Sequence, residues 1–377
     1  MSVPPIPGVS SPPPRLHGMG RLRHFWRRVS EGRQIDDLWS QFVADARSSY
    51  GFYDRDVDWE EIHKLPGWRR PLHVARQFFW ALLLKMSPAR RVLLLIAFVM
   101  LALSIINSQM NFEVIAVMLF VLLLSLELAD KVTMKRDLEI AREIQTWLVP
   151  SQPPEVAGAN VSFATRPQNS VAGDYYDAFY PNPEDREKLM VVIADVAGKS
   201  VPAALLMATL QASLRTIAGE NAPLADLVAR LNRYACAHSL NGLRFTTAVL
   251  SEYNPTLRRL TYVNAGHNAP ILRRASGTLE SLDAGGLPLG IQSDVIYETA
   301  SLELKPGDAL IFFTDGVVEA FNESGEEFGN ERWLNAVRNL PDWDASQSLQ
   351  FLMKRVDEFV GATRQSDDIT CLVFRCQ

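Results

Sequence analysis

Cysteine is scarce in this 377-residue chain, with only Cys236, Cys371 and Cys376. Three unevenly spaced thiols build neither a disulfide framework nor a zinc cluster, and they fit a reducing compartment. An excess of positive charge is also missing. Lys and Arg total 38 against 43 Asp and Glu, a net charge of −5, so the basic footprint of a nucleic-acid binder is lacking and that class of partner is excluded. With 47% apolar and 21% charged residues, the composition is neither that of a disordered chain nor that of a fibrous one. A nucleotide phosphate loop is absent as well. Lys199-Ser200 follows Gly198 as in such a loop, but Ile193 stands where its first glycine belongs.

What is present is unevenly distributed. Residues 1–91 carry a net charge of +6 and the remaining 286 residues a net of −11. Near the boundary lies an uninterrupted apolar run, residues 92–106, which reaches 19 residues with 107–110. A second run, Val114 to Leu126, extends to 18 residues between Phe112 and Ala129. Each approaches the ~20 residues that cross a bilayer, and no wet face interrupts either one. Lys85, Arg90 and Arg91 precede the first run, and Lys131, Lys135 and Arg136 follow the second, while the loop between has no Lys or Arg. The positive-inside rule therefore predicts a two-pass hairpin in the lipid bilayer, residues 91–129, with both termini cytoplasmic. The apolar run begins too far into the chain for a signal peptide.

The N-terminal segment, residues 1–90, says least. Residues 1–14 hold six prolines and read as disordered. Residues 34–47 have a helical pattern. Asp54, Asp56, Asp58 and Glu60 resemble the start of a calcium loop, but Trp59 and Leu65 occupy its glycine and bidentate-glutamate positions, so the stretch reads as a solvated acidic turn. Phe78–Met86 is aromatic-rich and suits an interface. Beyond the second run, Met134, Leu138, Ala141, Ile144 and Leu148 form a helical stripe ended by Pro150. A stripe so short needs a partner, either a second copy through residues 130–149 or the downstream domain.

Residues 151–377 mix strand-like and helix-like segments without strict alternation. Strands are predicted at 161–165, 188–194, 245–251, 260–263, 269–273, 296–302, 309–314 and 369–374, and helices at 201–219, 223–237, 330–340 and 345–360. The expectation is a mixed α/β domain with largely antiparallel sheets faced by helices. Aspartates recur where predicted strands end or begin. Asp195 ends an apolar strand before Val196-Ala197-Gly198, Asp315 ends another before Gly316, Asp367 and Asp368 precede a third, and Asp174 follows Gly173. A carboxylate beside a buried strand is costly unless a cation compensates it. Several together would form a hard-oxygen site suited to Mg²⁺ or Mn²⁺.

The motifs AREIQTWLVP (141–150), VAGDYYD (171–177), VIADVAGKSVPAALLM (192–207), YVNAGHNAPIL (262–272), LPLGI (287–291), FFTDGVVEA (312–320) and QSDDIT (365–370) resemble those of the metal-dependent (PPM, type 2C-like) serine/threonine protein phosphatases, in their bacterial SpoIIE/RsbU branch. The resemblance covers about 138–377 and implies the two-sheet, helix-flanked PPM fold over 151–377, with residues 130–150 as a linker helix. It also implies two divalent cations, Mn²⁺ or Mg²⁺, bridged by Asp195, with the Val196 carbonyl completing one coordination sphere. Asp174 would hold one ion and Asp315 and Asp367 the other, while Asp177 and Asp368 are neighbours able to substitute or assist. Ala172 and Ser200 stand where the family often has glycine. His267 of NAGH reads as structural, and Cys236 as a core residue.

In relatives the substrate is a phosphoserine or phosphothreonine on an anti-sigma-factor antagonist (STAS-like), within a partner-switching pathway. The segments equivalent to 130–149 and 201–240 control metal binding there. The expected protein is thus a two-pass enzyme of the bacterial inner membrane whose hairpin and apolar stripe act as a dimeric lever on the helix at 201–219. Two other classes remain: a membrane-tethered module that sequesters a regulatory protein, and a metallohydrolase of small phosphorylated molecules. Intact acidic positions count against the first, and nothing in the sequence builds a nucleotide or sugar pocket for the second.

Overall fold

The computed structural model describes residues 70–106, 111–220, 222–238 and 244–377. The proline-rich start, the helical pattern at 34–47, the acidic turn at 54–60 and the loop at 107–110 lie outside the described residues. Two compact units divide the chain, Met1–Asp130 and Lys131–Gln377.

In the first unit, α1 (Arg70–Lys85), α2 (Pro88–Ile106) and the start of α3 (Phe112–Leu148) are all helical. Arg90 meets Glu127 and Asp130 at 2.9 and 2.7 Å. Phe98 stacks edge-on to Phe120, and Ser104 donates to Glu113. These pairings descend α2 while ascending α3, so the two helices run antiparallel. Their outer faces are apolar and exposed, Ile105 at 83% and Leu124 at 69%, and both helices are long and apolar enough to cross a membrane. α3 has 37 residues, about 55 Å at 1.5 Å per residue. The predicted second span and linker helix are therefore one continuous helix.

The second unit is built on two sheets. One has the strand order β1 (Ala159–Arg166), β11 (Ile369–Cys376), β10 (Ala309–Phe313), β6 (Ile271–Arg273), β7 (Leu279–Ser281), antiparallel throughout. The other runs β2 (Tyr175–Phe179), β3 (Leu189–Val196), β4 (Thr246–Asn254), β5 (Arg259–Ala265), β8 (Gly285–Gly286), with β9 (Ala300–Glu303) also on β5. Among the described residues the short β5–β8 pairing is parallel, as is the isolated bridge Ala248–Gly266, and the other strand pairings are antiparallel. Val191, Ile193 and Val249 from the second sheet pack against Leu310, Phe312 and Leu372 from the first.

Outside the second sheet lie α4 (Val201–Ala218) and α5 (Leu224–Ala237), with Met207, Leu214 and Leu227 against Met190, Val192 and Leu250. Outside the first lie α7 (Gly329–Arg338) and α8 (Ala345–Val360), with Trp333, Leu352 and Val356 against Ile311 and Val373; the four-residue α6 (Asp315–Val318) follows β10. Helix, sheet, sheet, helix is the order of layers. It explains why β3 reads LMVVIADV with no polar face, since both of its sides are covered. α4 is as apolar as a membrane span by composition, but its Ala203, Met207, Leu214 and Ala218 are fully packed in this core.

The predicted strand 296–302 becomes β9, beginning only at Ala300, and Ile296 is 87% exposed. β2 was not predicted at all, since buried on both sides it shows no alternation. In the linker stripe, Leu138, Ala141 and Leu148 are half-buried while Met134 and Ile144 are exposed. A second apolar line, Ile140, Ile144 and Trp147, faces solvent at 46, 49 and 75%.

Ser200 precedes α4 with φ 65° and ψ −147°, a region where a side chain costs about 1–3 kcal/mol. Ser200→Gly relieves that strain and loses part of the gain to a more flexible unfolded chain. A net stabilisation of about 1 kcal/mol is expected, read from the denaturant midpoint.

Candidate active site

Both sheets deliver carboxylates to one end of the sandwich. Asp174 directly precedes β2 and Asp195 is the penultimate residue of β3, and Tyr175 pairs with Ala194 across those strands. Gly173 lets the two loops touch, because a Cβ there would stand 3.2 Å from the Val196 carbonyl oxygen and 3.7 Å from Asp195 Oδ1. On the other sheet β10 ends just before Asp315, and Asp367-Asp368 lead into β11. Here glycine is mandatory: a Cβ on Gly316 would lie 2.0 Å from the Asp368 carbonyl oxygen.

Each carboxylate has a distinct setting. Asp174 is 4% exposed and accepts a 3.0 Å hydrogen bond from Thr314 Oγ1, which also accepts from the Thr370 N–H. Burial, then the neighbouring Asp195, raises the Asp174 pKa well above the usual carboxylate range. Burial and the charges of Asp315, Asp367 and Asp368 push Asp195 up to about 7. Asp315 is raised by burial and by Asp367. Asp367 pairs with Lys199 Nζ at 2.9 Å. Asp368 accepts the backbone N–H groups of Gln168 and Gly173, both at 2.6 Å, and so staples the 168–173 loop beside Asp174.

Mutual repulsion of this strength, with one ammonium to offset it, is the electrostatic setting that a divalent cation relieves. The donors are all hard oxygens, which suits Mg²⁺ or Mn²⁺. Among the described residues, no three carboxylate, imidazole or thiol groups are already closed to ligand spacing.

Asp177 does not join this cluster. Within β2 it shares a face with Tyr175 and Phe179, turned toward α4, where Arg215 Nε and Nη2 bind its carboxylate at 2.8 and 2.9 Å. Tyr175 donates a third bond at 2.6 Å. The expectation that Asp177 is able to substitute or assist at the metal site is corrected by that period-two placement.

Some supporting residues carried no separable signal in the sequence. Thr314 precedes Asp315 in FFTDG, and its bond to Asp174 joins the two sheets. Gln145, inside AREIQTWLVP, uses its amide to accept from the Ala172 N–H at 2.9 Å and donate to the Ala172 carbonyl at 2.8 Å. That ties α3 to the loop carrying Asp174.

His267 is buried, shares a 2.8 Å hydrogen bond with Thr247 Oγ1, and is held through its backbone by Asn264. Burial lowers its pKa from 6.5 to about 4, so the folded chain keeps it neutral. The unfolded chain protonates first on acidification. Stability is therefore full above pH 6.5 and falls as pH drops toward 4, by at most about 3 kcal/mol. A His267→Gln variant should flatten that part of the stability–pH curve, measured by denaturant unfolding between pH 7 and 4.

Residues 185–377 match the model of the family described as Stage II sporulation protein E (SpoIIE). The phosphoserine phosphatase RsbU of Bacillus subtilis is 30% identical over 192 residues, 51% of this chain and 56% of that protein. The chain spans about half the length of the curated relatives it matches. Among solved structures, the PP2C domain of SiaA from Pseudomonas aeruginosa aligns with TM-score 0.57 at 21% identity, over 66% of this chain and 99% of that one. The PP2C phosphatase domain of SpoIIE from Bacillus subtilis, with a fragment of its regulatory domain, aligns with TM-score 0.52 at 20% identity, over 59% of this chain and 64% of that one. The second unit thus has the PP2C-like α/β fold.

Proposed function

Because the chain belongs to the SpoIIE family, we propose that it is a metal-dependent serine/threonine protein phosphatase, anchored in the bacterial inner membrane by α2 and the first half of α3. Its substrate is a phosphoserine or phosphothreonine on a regulatory protein, an anti-sigma-factor antagonist of STAS-like type in a partner-switching pathway. The observation that carries this reading is the convergence of Asp174, Asp195, Asp315 and Asp367 from two sheets. Domain limits of 91–129 for the hairpin, 130–150 for the linker and 151–377 for the catalytic part belong to the same proposal. So does a homodimer through 130–149, supported by the exposed Ile140, Ile144 and Trp147.

Asp174, Asp195 with the Val196 carbonyl, Asp315 and Asp367 would hold two divalent cations. Such ions supply Lewis-acid activation of water and neutralise charge at phosphorus. The chain's own residues set the stage for that chemistry. Thr314 orients the Asp174 carboxylate, Asp368 fixes the loop before it through two backbone N–H groups, and Lys199 holds one oxygen of Asp367.

The test is phosphate release from p-nitrophenyl phosphate and from a phosphoserine protein by the full chain in detergent. Turnover that needs Mn²⁺ or Mg²⁺ and stops in EDTA is expected. Retained binding of a phosphoprotein without turnover would overturn the enzyme reading in favour of a sequestering module.

A further inference from the structure

Arg244 stands immediately before β4, half-buried, and lines a cavity of about 50 Å³ together with Leu206, Leu231 and Leu289. Its guanidinium reaches the turn that follows Asp195 and Val196. Nη1 lies 3.4 Å from the Ala197 carbonyl oxygen. It also fills the space beside Gly198, where a Cβ would come within 2.4 Å of it. Gly198 has φ +116°, so the turn is shaped to leave that space to the arginine.

Several arginines of this unit have carboxylate partners, Arg215 with Asp177, Arg274 with Asp308 and Arg375 with Asp342, while the half-buried Arg258 and Arg273 form no ion pair among the described residues. Lys199, the second cation on the same turn, is committed to Asp367 and to the Ser366 carbonyl. Arg244 likewise pairs with no carboxylate among the described residues, and it stands at the turn that follows Asp195. A half-buried guanidinium whose one bond among the described residues is a long one to a carbonyl keeps most of its planar donor fork for an anion. Partial desolvation without a counter-charge is costly, and a phosphoryl group matches the fork in both charge and geometry. The charge balance leaves room for such a donor: two divalent cations and Lys199 do no more than offset Asp174, Asp195, Asp315, Asp367 and Asp368, so an incoming phosphate monoester dianion gains from a further cation.

We propose that Arg244 is the residue that binds the phosphoryl oxygens of the substrate. This rests on the phosphatase reading and adds to it a substrate contact outside the carboxylate cluster. The free phosphate product takes the same contact.

The experiment is calorimetric titration of inorganic phosphate into the Mn²⁺-loaded full chain in detergent, for wild type, Arg244→Met and Arg244→Lys. The Mn²⁺ affinity of each is measured separately. Arg244→Met should weaken phosphate binding about 10- to 100-fold, the range of a charge-assisted hydrogen-bonded contact. Arg244→Lys should recover part of the loss, and Mn²⁺ affinity should stay within about twofold of wild type, because Arg244 touches no carboxylate. In turnover of p-nitrophenyl phosphate the same loss should appear in KM more than in kcat. Unchanged phosphate affinity in Arg244→Met overturns the proposal. So does a parallel fall in Mn²⁺ affinity, which would make Arg244 only a prop for the 197–198 turn. A wild type that binds phosphate but turns nothing over would refute the enzyme reading while leaving this contact standing.

Discussion

Replacement of Asp195 by asparagine is expected to lower phosphate release at least about a thousandfold, about 4 kcal/mol of transition-state stabilisation, while the protein remains folded. The residue is central in the cluster: the charges of Asp315, Asp367 and Asp368 all bear on it, and its side chain contacts Asp174. An amide keeps the shape and one oxygen but no longer supplies the charge that draws in cations.

The same substitution should act on stability with the opposite sign. Asp195 holds its proton more tightly in the folded chain, with a pKa of about 7 against 3.8. Without metal, its contribution is therefore greatest at low pH and declines as pH rises from 3.8 toward about 7. In EDTA at pH 8, Asp195→Asn should melt at a higher temperature than wild type. A variant that loses activity and melts lower would mean that Asp195 is a structural carboxylate, and the proposed centre would have to be sought elsewhere.

The largest effect on folding is expected at the opposite face of β2. Asp177 is fully buried, and burial keeps its pKa above normal even with Arg215 and Tyr175 bonded to it. Arg215→Met removes two of its three side-chain donors, along with a guanidinium lying 3.8 Å over the Phe179 ring. Breaking a buried pair from one side costs about 3–5 kcal/mol. For a domain of this size that lowers the melting temperature by about 6–20 °C. Because replacing both charges with apolar groups is often neutral, Arg215→Met combined with Asp177→Leu should recover much of the loss. Failure of the double variant to recover would mean that the α4–β2 contact depends on the charges themselves.

The layered fold was readable because β10 is apolar throughout and β3 and β11 are apolar over most of their length. Those residues record burial on two faces, a property of each strand alone. β2 was not readable, and misplacing Asp177 followed from that: once 175–179 is a strand, period two puts Asp177 with Tyr175 and Phe179 under α4 and away from Asp174. Its partner Arg215 lies 38 residues on, and no local pattern encodes a pairing at that distance. Arg244 was hidden for a similar reason. Its place beside Gly198 depends on β4 lying next to β3, a long-range pairing of backbones. The continuity of α3 was missed because a change from apolar to amphipathic composition reads as a boundary, although the helical backbone passes through it unbroken.

The Gln145–Ala172 contact has a bearing on how such a domain tolerates mutational drift. A side-chain amide that bonds one residue's N–H and C=O reads main chain only, and it is blind to whatever side chain that residue bears. A methyl group at position 172 can thus enter by a neutral step, with the tie between α3 and the Asp174 loop unaltered. Position 200 offers no such freedom, because there the backbone itself is held where only glycine is at ease. Of the two departures from the family's glycines, one is silent and the other is a standing load on the turn that leads into α4.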